Sequence, residues 1–173
     1  MNKLFSGRRF GFLLGAMLGI VFNFTLFSAT AQSSTTKVAV SKTYNVGIFA
    51  PLYLDTIFTN TGTIRFKDAI PKFMTPGLEF IHGAQIALDS MDIEKGNVDA
   101  YIYDTKSYTE NIAQLIANKK LDKLDIIIGS VKDIEFKQLA DFAFSKNIPF
   151  ISATYPNDGG VTANPFLVVV NST

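Results

Sequence analysis

Short apolar segments alternate with amphipathic ones from Tyr44 onward, and this alternation most constrains the fold. Strands joined through helical crossovers run parallel, because each crossover returns the chain to the same edge of the sheet. The third predicted strand is apolar throughout its middle, as a strand covered on both faces must be. The sequence therefore predicts an open parallel α/β sheet of Rossmann-like βαβ units with helices on both faces. The predicted strands are Tyr44–Ala50, Val98–Asp104, Asp125–Gly129, Ile148–Ser152 and Phe166–Val170.

Three helices are predicted between these strands. The first spans Gly77–Met91, where apolar side chains recur at spacings of three and four residues. A capping-box pattern, Ser107-x-x-Glu110, precedes the second helix, and Ser130-x-x-Asp133 opens the third.

The connection from Leu52 to Pro76 is long for a segment without regular structure. Such connections are uncommon in compact domains and are often functional. Its threonines, Asn60 and Gly62 suit a loop near the ligand end of the sheet. A surface insertion without a role in binding is the alternative interpretation.

The first 31 residues resemble an export signal. Lys3, Arg8 and Arg9 precede the apolar stretch 10–27, and Ala29-Thr30-Ala31 supplies the small-x-small pattern of a cleavage site. A retained transmembrane anchor is the alternative, because about 20 apolar residues can cross a bilayer.

These features divide the chain into a signal peptide (1–31), a polar linker (32–43) and an α/β lobe (44–173). In a bacterium with two membranes the mature protein would be periplasmic. Without residues 1–32 the chain keeps 13 basic and 15 acidic side chains, a formal net charge of −2. This balance offers no electrostatic reason to expect nucleic acid as a partner. The absence of cysteine excludes disulfides and thiol chemistry.

Ligands of open parallel sheets bind at the carboxyl ends of the strands. The ends here carry hydroxyls, small residues and backbone amides, and we expect a ligand to meet Ser130, Ser152, Ala153 and Thr154. For Ser130 the alternative is helix capping, and for the other three it is a hydroxyl-rich turn. Tyr53 and Tyr155 either wall a pocket or pack at the edge of the sheet.

The sequence holds little catalytic equipment. The single histidine, His82, shares the polar face of the first helix with Glu79, Gln85 and Asp89, where a solvated side chain is expected. Asp104 ends the second strand, but no glycine-rich turn follows the first, so we expect it to cap or close a turn rather than bind a ribose. We expect no enzymatic activity, no cofactor and no metal site.

The order and spacing of four segments resemble the type 1 periplasmic binding proteins of the branched-chain amino-acid/amide class. These segments are YNVGIFAPL, PGLEFIHGAQIALDSM, IIIGSV and IPFISATYP, spread over residues 44–173. The resemblance implies the N-terminal lobe of a two-lobed protein, present here as a single lobe or fragment. It also implies a ligand held at the turns that contain Ser130, Ser152, Ala153 and Thr154.

Such proteins are the substrate-binding components of ABC transporters. The resemblance therefore implies capture of an amino acid or similar small polar solute for an ABC permease in the inner membrane. Two alternatives stay open: a ligand-sensing or cell-envelope interaction module of the same fold, and an exported hydrolase, for which the sequence offers no nucleophile–base pair.

Overall fold

A computed structural model describes residues 42–66 and 68–171. The predicted signal peptide, residues 1–31, and nearly all of the predicted linker lie outside these residues. Within them, no helix is long and apolar enough to span a membrane.

Five parallel strands form one sheet in the order β2-β1-β3-β4-β5, which confirms the predicted open parallel α/β fold. Parallel pairing of every neighbouring strand requires a crossover between them, as the alternation of segments predicted. The last three strands are shorter than predicted. The strands are β1 (Tyr44–Ala50), β2 (Val98–Asp104), β3 (Ile126–Gly129), β4 (Phe150–Ser152) and β5 (Leu167–Val169).

Helices occupy the connections after the first three strands. The β4–β5 connection has no helix among the described residues. A 3-10 turn, Lys72–Met74, leads into the longest helix. The helices are α1 (Leu54–Ile57), α2 (Thr75–Ile93), α3 (Ile112–Ala117) and α4 (Asp133–Lys146).

The predicted caps of the second and third helices are wrong. The capping box of α3 is formed by Asn111 and Gln114, whose side chains and backbone N–H groups exchange bonds of 3.0 and 2.9 Å. Ser107 instead donates to Asp55 and accepts from the N–H of Glu110. This bond ties Ser107 to the connection after β1, so Ser107 does not cap α3, whose N-cap lies four residues later.

The helix after β3 also starts later than predicted. Its N-cap position is Lys132, which makes no side-chain capping bond, and the helix begins at Asp133. Ser130 therefore lies before the helix, and its hydroxyl does not cap it.

The core lies between the sheet and the helices α3 and α4. Phe49 and Phe150 from the sheet meet Leu115 of α3 and Phe136 of α4, all of them buried. The rings of Phe136 and Phe150 lie 5.3 Å apart, centre to centre. These contacts fix the start of α4 relative to the ends of β3 and β4.

The other face of β1 is covered by α2. Val46, Ile48 and Ala50 alternate with Phe49 along the strand and are buried beneath this helix. Gly77 permits the close approach, because a Cβ at this position would lie 2.3 Å from the carbonyl oxygen of Pro51.

The predicted faces of α2 are confirmed only in part. Ile81, Ala84 and Leu88 are half-buried, but Leu78 and Met91 are exposed. His82 is exposed, as predicted for the polar face.

Candidate functional site

A cavity of about 630 Å³ opens where the strands end. It lies at the switch point of the sheet, since the connection after β1 leads to α2 on one face and the connection after β3 leads to α4 on the other. Its size falls within the usual range for small-molecule sites. Its lining residues are Pro51, Tyr53, Phe73, Pro76, Glu79, Phe80, Thr105, Lys106, Ser130, Val131, Lys132, Glu135, Thr154, Tyr155 and Pro156.

Two of the four predicted site residues, Ser130 and Thr154, line this cavity together. Their hydroxyl oxygens lie 3.1 Å apart and share a hydrogen bond in which either can donate. Ser130 is 9% exposed, and its backbone N–H donates to the carbonyl of Phe49, which anchors it between β1 and β3. The pair presents two hydroxyls whose hydrogens can turn toward a bound polar group.

The other two predicted residues do not line the cavity. Ser152 is fully buried in β4, and its Oγ has no hydrogen-bond partner among the described residues. The backbone N–H of Ala153 donates to the carbonyl of Gly129 at 2.9 Å, which continues the β3–β4 pairing toward the cavity. Both residues support the turn from which Thr154 projects.

Asp104 holds the loop after β1, and its predicted turn-closing role is confirmed. Its carboxylate accepts from the backbone N–H groups of Leu52, Tyr53, Leu54 and Lys106 at 2.7–3.1 Å. Tyr53 adopts the left-handed conformation (φ 56°), which is uncommon for a bulky residue. The hydrogen bonds from these N–H groups to Asp104 stabilise this conformation, in which Tyr53 lines the cavity.

Asp55, in the loop after β1, forms hydrogen bonds with the loop after β2. Its Oδ2 accepts from the N–H groups of Tyr108 and Thr109 and from the hydroxyl of Ser107. The N–H of Thr109, with these neighbours, holds the pKa of Asp55 below its ordinary value. The carboxylate therefore stays ionised and keeps the two loops joined at neutral pH.

Aromatic rings form the apolar walls. Tyr53 and Phe73 meet edge to face with centroids 4.9 Å apart, and both come from the long connection after β1. Tyr155 packs on Phe136 of the core at 5.3 Å. Both tyrosines therefore line the cavity and pack against neighbours, so the two interpretations left open for them hold together.

The residues of the long connection that line the cavity come from its two ends, and its threonines are not among them. It contains α1 and a short bridge between Phe58 and Ile64, so it is not wholly irregular. Thr59, Thr61 and Thr63 hydrogen-bond to one another and do not line the cavity.

The sequence did not predict the four charged residues of the cavity, of which two, Lys106 and Glu135, are partly buried. Their side chains form an ion pair, and they are 30% and 15% exposed. A basic residue two positions after β2 and an acidic one in the first turn of α4 are the signal that could have found them. Both positions must lie at the carboxyl edge of a parallel sheet.

The groups that line the cavity can form hydrogen bonds and ionic contacts with a small polar molecule and can pack against its apolar part. They offer two hydroxyls, a buried threonine, one ion pair and aromatic faces. Within residues 42–66 and 68–171 no group of three or more histidine, aspartate or glutamate side chains is placed to hold a metal ion.

No family model, curated protein or solved structure matches this chain.

Proposed function

We propose that the chain is a solute-binding lobe of the type 1 periplasmic binding protein kind, which captures an amino acid or similar small polar solute for an ABC permease. The observation that carries the proposal is the pair of hydroxyls, Ser130 and Thr154, in a cavity at the switch point of the sheet. The predicted export signal supports a periplasmic location.

Binding follows from the chemistry of the lining. The hydroxyls of Ser130 and Thr154 donate to a solute carboxylate, which gives charge-assisted hydrogen bonds stronger than those between neutral groups. The rings of Tyr53, Phe73 and Tyr155 contact the apolar part of the solute. No bond of the solute is broken, so it leaves unchanged.

Affinity in this lobe alone should be weak. Glu79, Lys132 and Thr154 on the rim are exposed, so a bound solute keeps one side in water. Tight small-molecule sites bury roughly 70–90% or more of the ligand surface.

Isothermal titration calorimetry of the purified chain against the twenty amino acids and a set of dipeptides tests the proposal. We expect at least one solute to bind, and Ser130→Ala or Thr154→Ala to weaken that binding about tenfold, the effect of one charge-assisted bond.

Ser145→Ala is the matched control, because this serine donates to the carbonyl of Phe142 in α4 and does not line the cavity. Its binding should equal that of the unaltered chain. Silence across the whole panel, or equal weakening by the control, would contradict the proposal.

The second candidate is a sensing or cell-envelope interaction module. It is favoured by the exposed apolar side chains of the connection between β1 and α2, which are Phe58, Ile64, Phe66 and Ile70. Contiguous exposed apolar surface is typical of protein contacts, and Phe58 and Ile64 are neighbours because they pair in one bridge. A chain that binds solute but fails to stimulate ATP hydrolysis by any permease of its host would support this candidate over transport.

A further inference from the structure

The Lys106–Glu135 ion pair is the partly buried charge of the cavity. Two other charged residues line it, Glu79 and Lys132, and both are exposed. Water and salt screen exposed charges, whereas partly buried ones keep most of their mutual interaction. Selection of a charged solute therefore depends on Lys106 and Glu135 more than on the rim.

The ion pair crosses the site. Lys106 follows β2 and Glu135 lies in the first turn of α4, which follows β3. In the sheet β1 lies between β2 and β3, so the pair passes over the carboxyl end of β1. This is the crevice in which ligands of such sheets bind.

A singly charged solute gains little from this pair. A solute carboxylate that paired with Lys106 would leave Glu135 partly buried and without a counter-charge. An amine that paired with Glu135 would leave Lys106 in the same condition. Leaving a partly buried charge without its counter-charge is unfavourable, although remaining solvent contact makes the cost smaller than for a fully buried pair. A solute with both charges exchanges one ion pair for two.

We propose that Lys106 and Glu135 determine specificity by selecting solutes that carry a cation and an anion together. Glu135 accepts from the solute ammonium, and Lys106 pairs with its carboxylate beside the hydroxyls of Ser130 and Thr154. This inference rests on the proposed function and adds to it the charge pattern of the solute.

Calorimetry with three matched trios tests it. Each trio contains an amino acid (alanine, leucine or phenylalanine), the amine that lacks its carboxylate, and the acid that lacks its ammonium. With the unaltered chain we expect at least one amino acid to bind about tenfold or more tighter than either analogue.

Single substitutions should move the preference in opposite directions. Glu135→Gln frees Lys106 and should improve binding of the acid relative to the amino acid, while Lys106→Gln frees Glu135 and should improve binding of the amine. The swapped pair, Lys106→Glu with Glu135→Lys, restores opposite charges and should restore the preference for the amino acid.

The Lys120–Glu110 ion pair supplies the control, because it has the same residue types and neither residue lines the cavity. Lys120→Gln and Glu110→Gln should leave the ranking within each trio unchanged. Thermal unfolding of every variant establishes that it is folded before it is titrated.

Three results would overturn the inference: analogues that bind as tightly as the amino acid, cavity variants that keep the original ranking, or no binding by any compound. In the first two cases the proposed function stands and only the charge selection fails. If no trio and no compound of the amino-acid and dipeptide panel binds, both fail.

Discussion

Single aspartates hold the backbone at both edges of the sheet. Asp104 and Asp55 join the connections after β1 and β2 at the carboxyl edge. At the opposite edge Asp125 accepts from the backbone N–H of Asn45 and from Lys42, at 2.9 and 2.8 Å. Ionised carboxylates can accept several such bonds at once, so each one orders a stretch of chain.

Acid should weaken the fold through Asp125. The N–H of Asn45, with Lys42, lowers the pKa of Asp125 from its ordinary value to about 2. A group with a lowered folded pKa adds stability above its unfolded pKa and loses it as the pH falls toward the folded value. We expect the free energy of unfolding to fall as the pH drops from about 4 to about 2.

Urea unfolding at pH 7 and pH 3 measures this. Asp125→Asn should lower stability at pH 7 and reduce the dependence on pH. Asp89→Asn, on the exposed face of α2, is the matched control. Equal pH dependence in the unaltered chain and Asp125→Asn would show that these bonds do not stabilise the fold.

At the scale of elements, two glycines of α2 have opposite surroundings. Alanine at Gly77 would place its Cβ against the carbonyl of Pro51, whereas Gly83 has nothing within 4 Å of that position. Gly77→Ala should therefore push α2 off the end of β1 and lower stability by about 1–3 kcal/mol. Gly83→Ala should raise it by about 0.5–1 kcal/mol, because alanine favours a helix interior.

Thermal and urea unfolding of the two variants checks this pair. Because α2 carries Phe80 and Glu79 into the cavity, Gly77→Ala should also weaken solute binding. Changes of the same sign in both variants would mean that the contact between α2 and Pro51 is not tight.

The elements that could be predicted from sequence are those whose signal is local. The strands β1 and β2 have the predicted bounds because each is specified by apolar and β-branched residues within its own seven positions. The cap of α3 could not be predicted in the same way. Ser107 had the right spacing to Glu110, but its hydroxyl is held by Asp55, 52 residues earlier in the chain.

The same distinction applies to the candidate site. Ser130 and Thr154 could be found because each follows a strand and the two strands are neighbours. The contact between Lys106 and Glu135 depends on the strand order, in which β1 lies between β2 and β3. No local sequence pattern specifies strand order, so this contact could not be predicted. Ser152 resembled a site residue because it stands next to the turn, yet its side chain faces the core.

At the scale of the whole molecule, side-chain bonds tie neighbouring strand ends together along the carboxyl edge. The aspartates join the connections after β1 and β2, and Ser130 with Thr154 joins β3 to β4. Asn171, after β5, donates to the carbonyl of Thr154 at 2.9 Å. A cavity ordered in this way before binding loses less conformational freedom when a solute arrives.

Mapping of amide chemical shifts by NMR, on the labelled chain titrated with a mixture of amino acids, tests the central claim most directly. We expect shifts that rise with concentration at Thr105, Ser130, Thr154 and Tyr155, with Lys120 and Ser145 unchanged. Shifts absent from these four residues, or confined to surfaces away from the carboxyl edge, would contradict it.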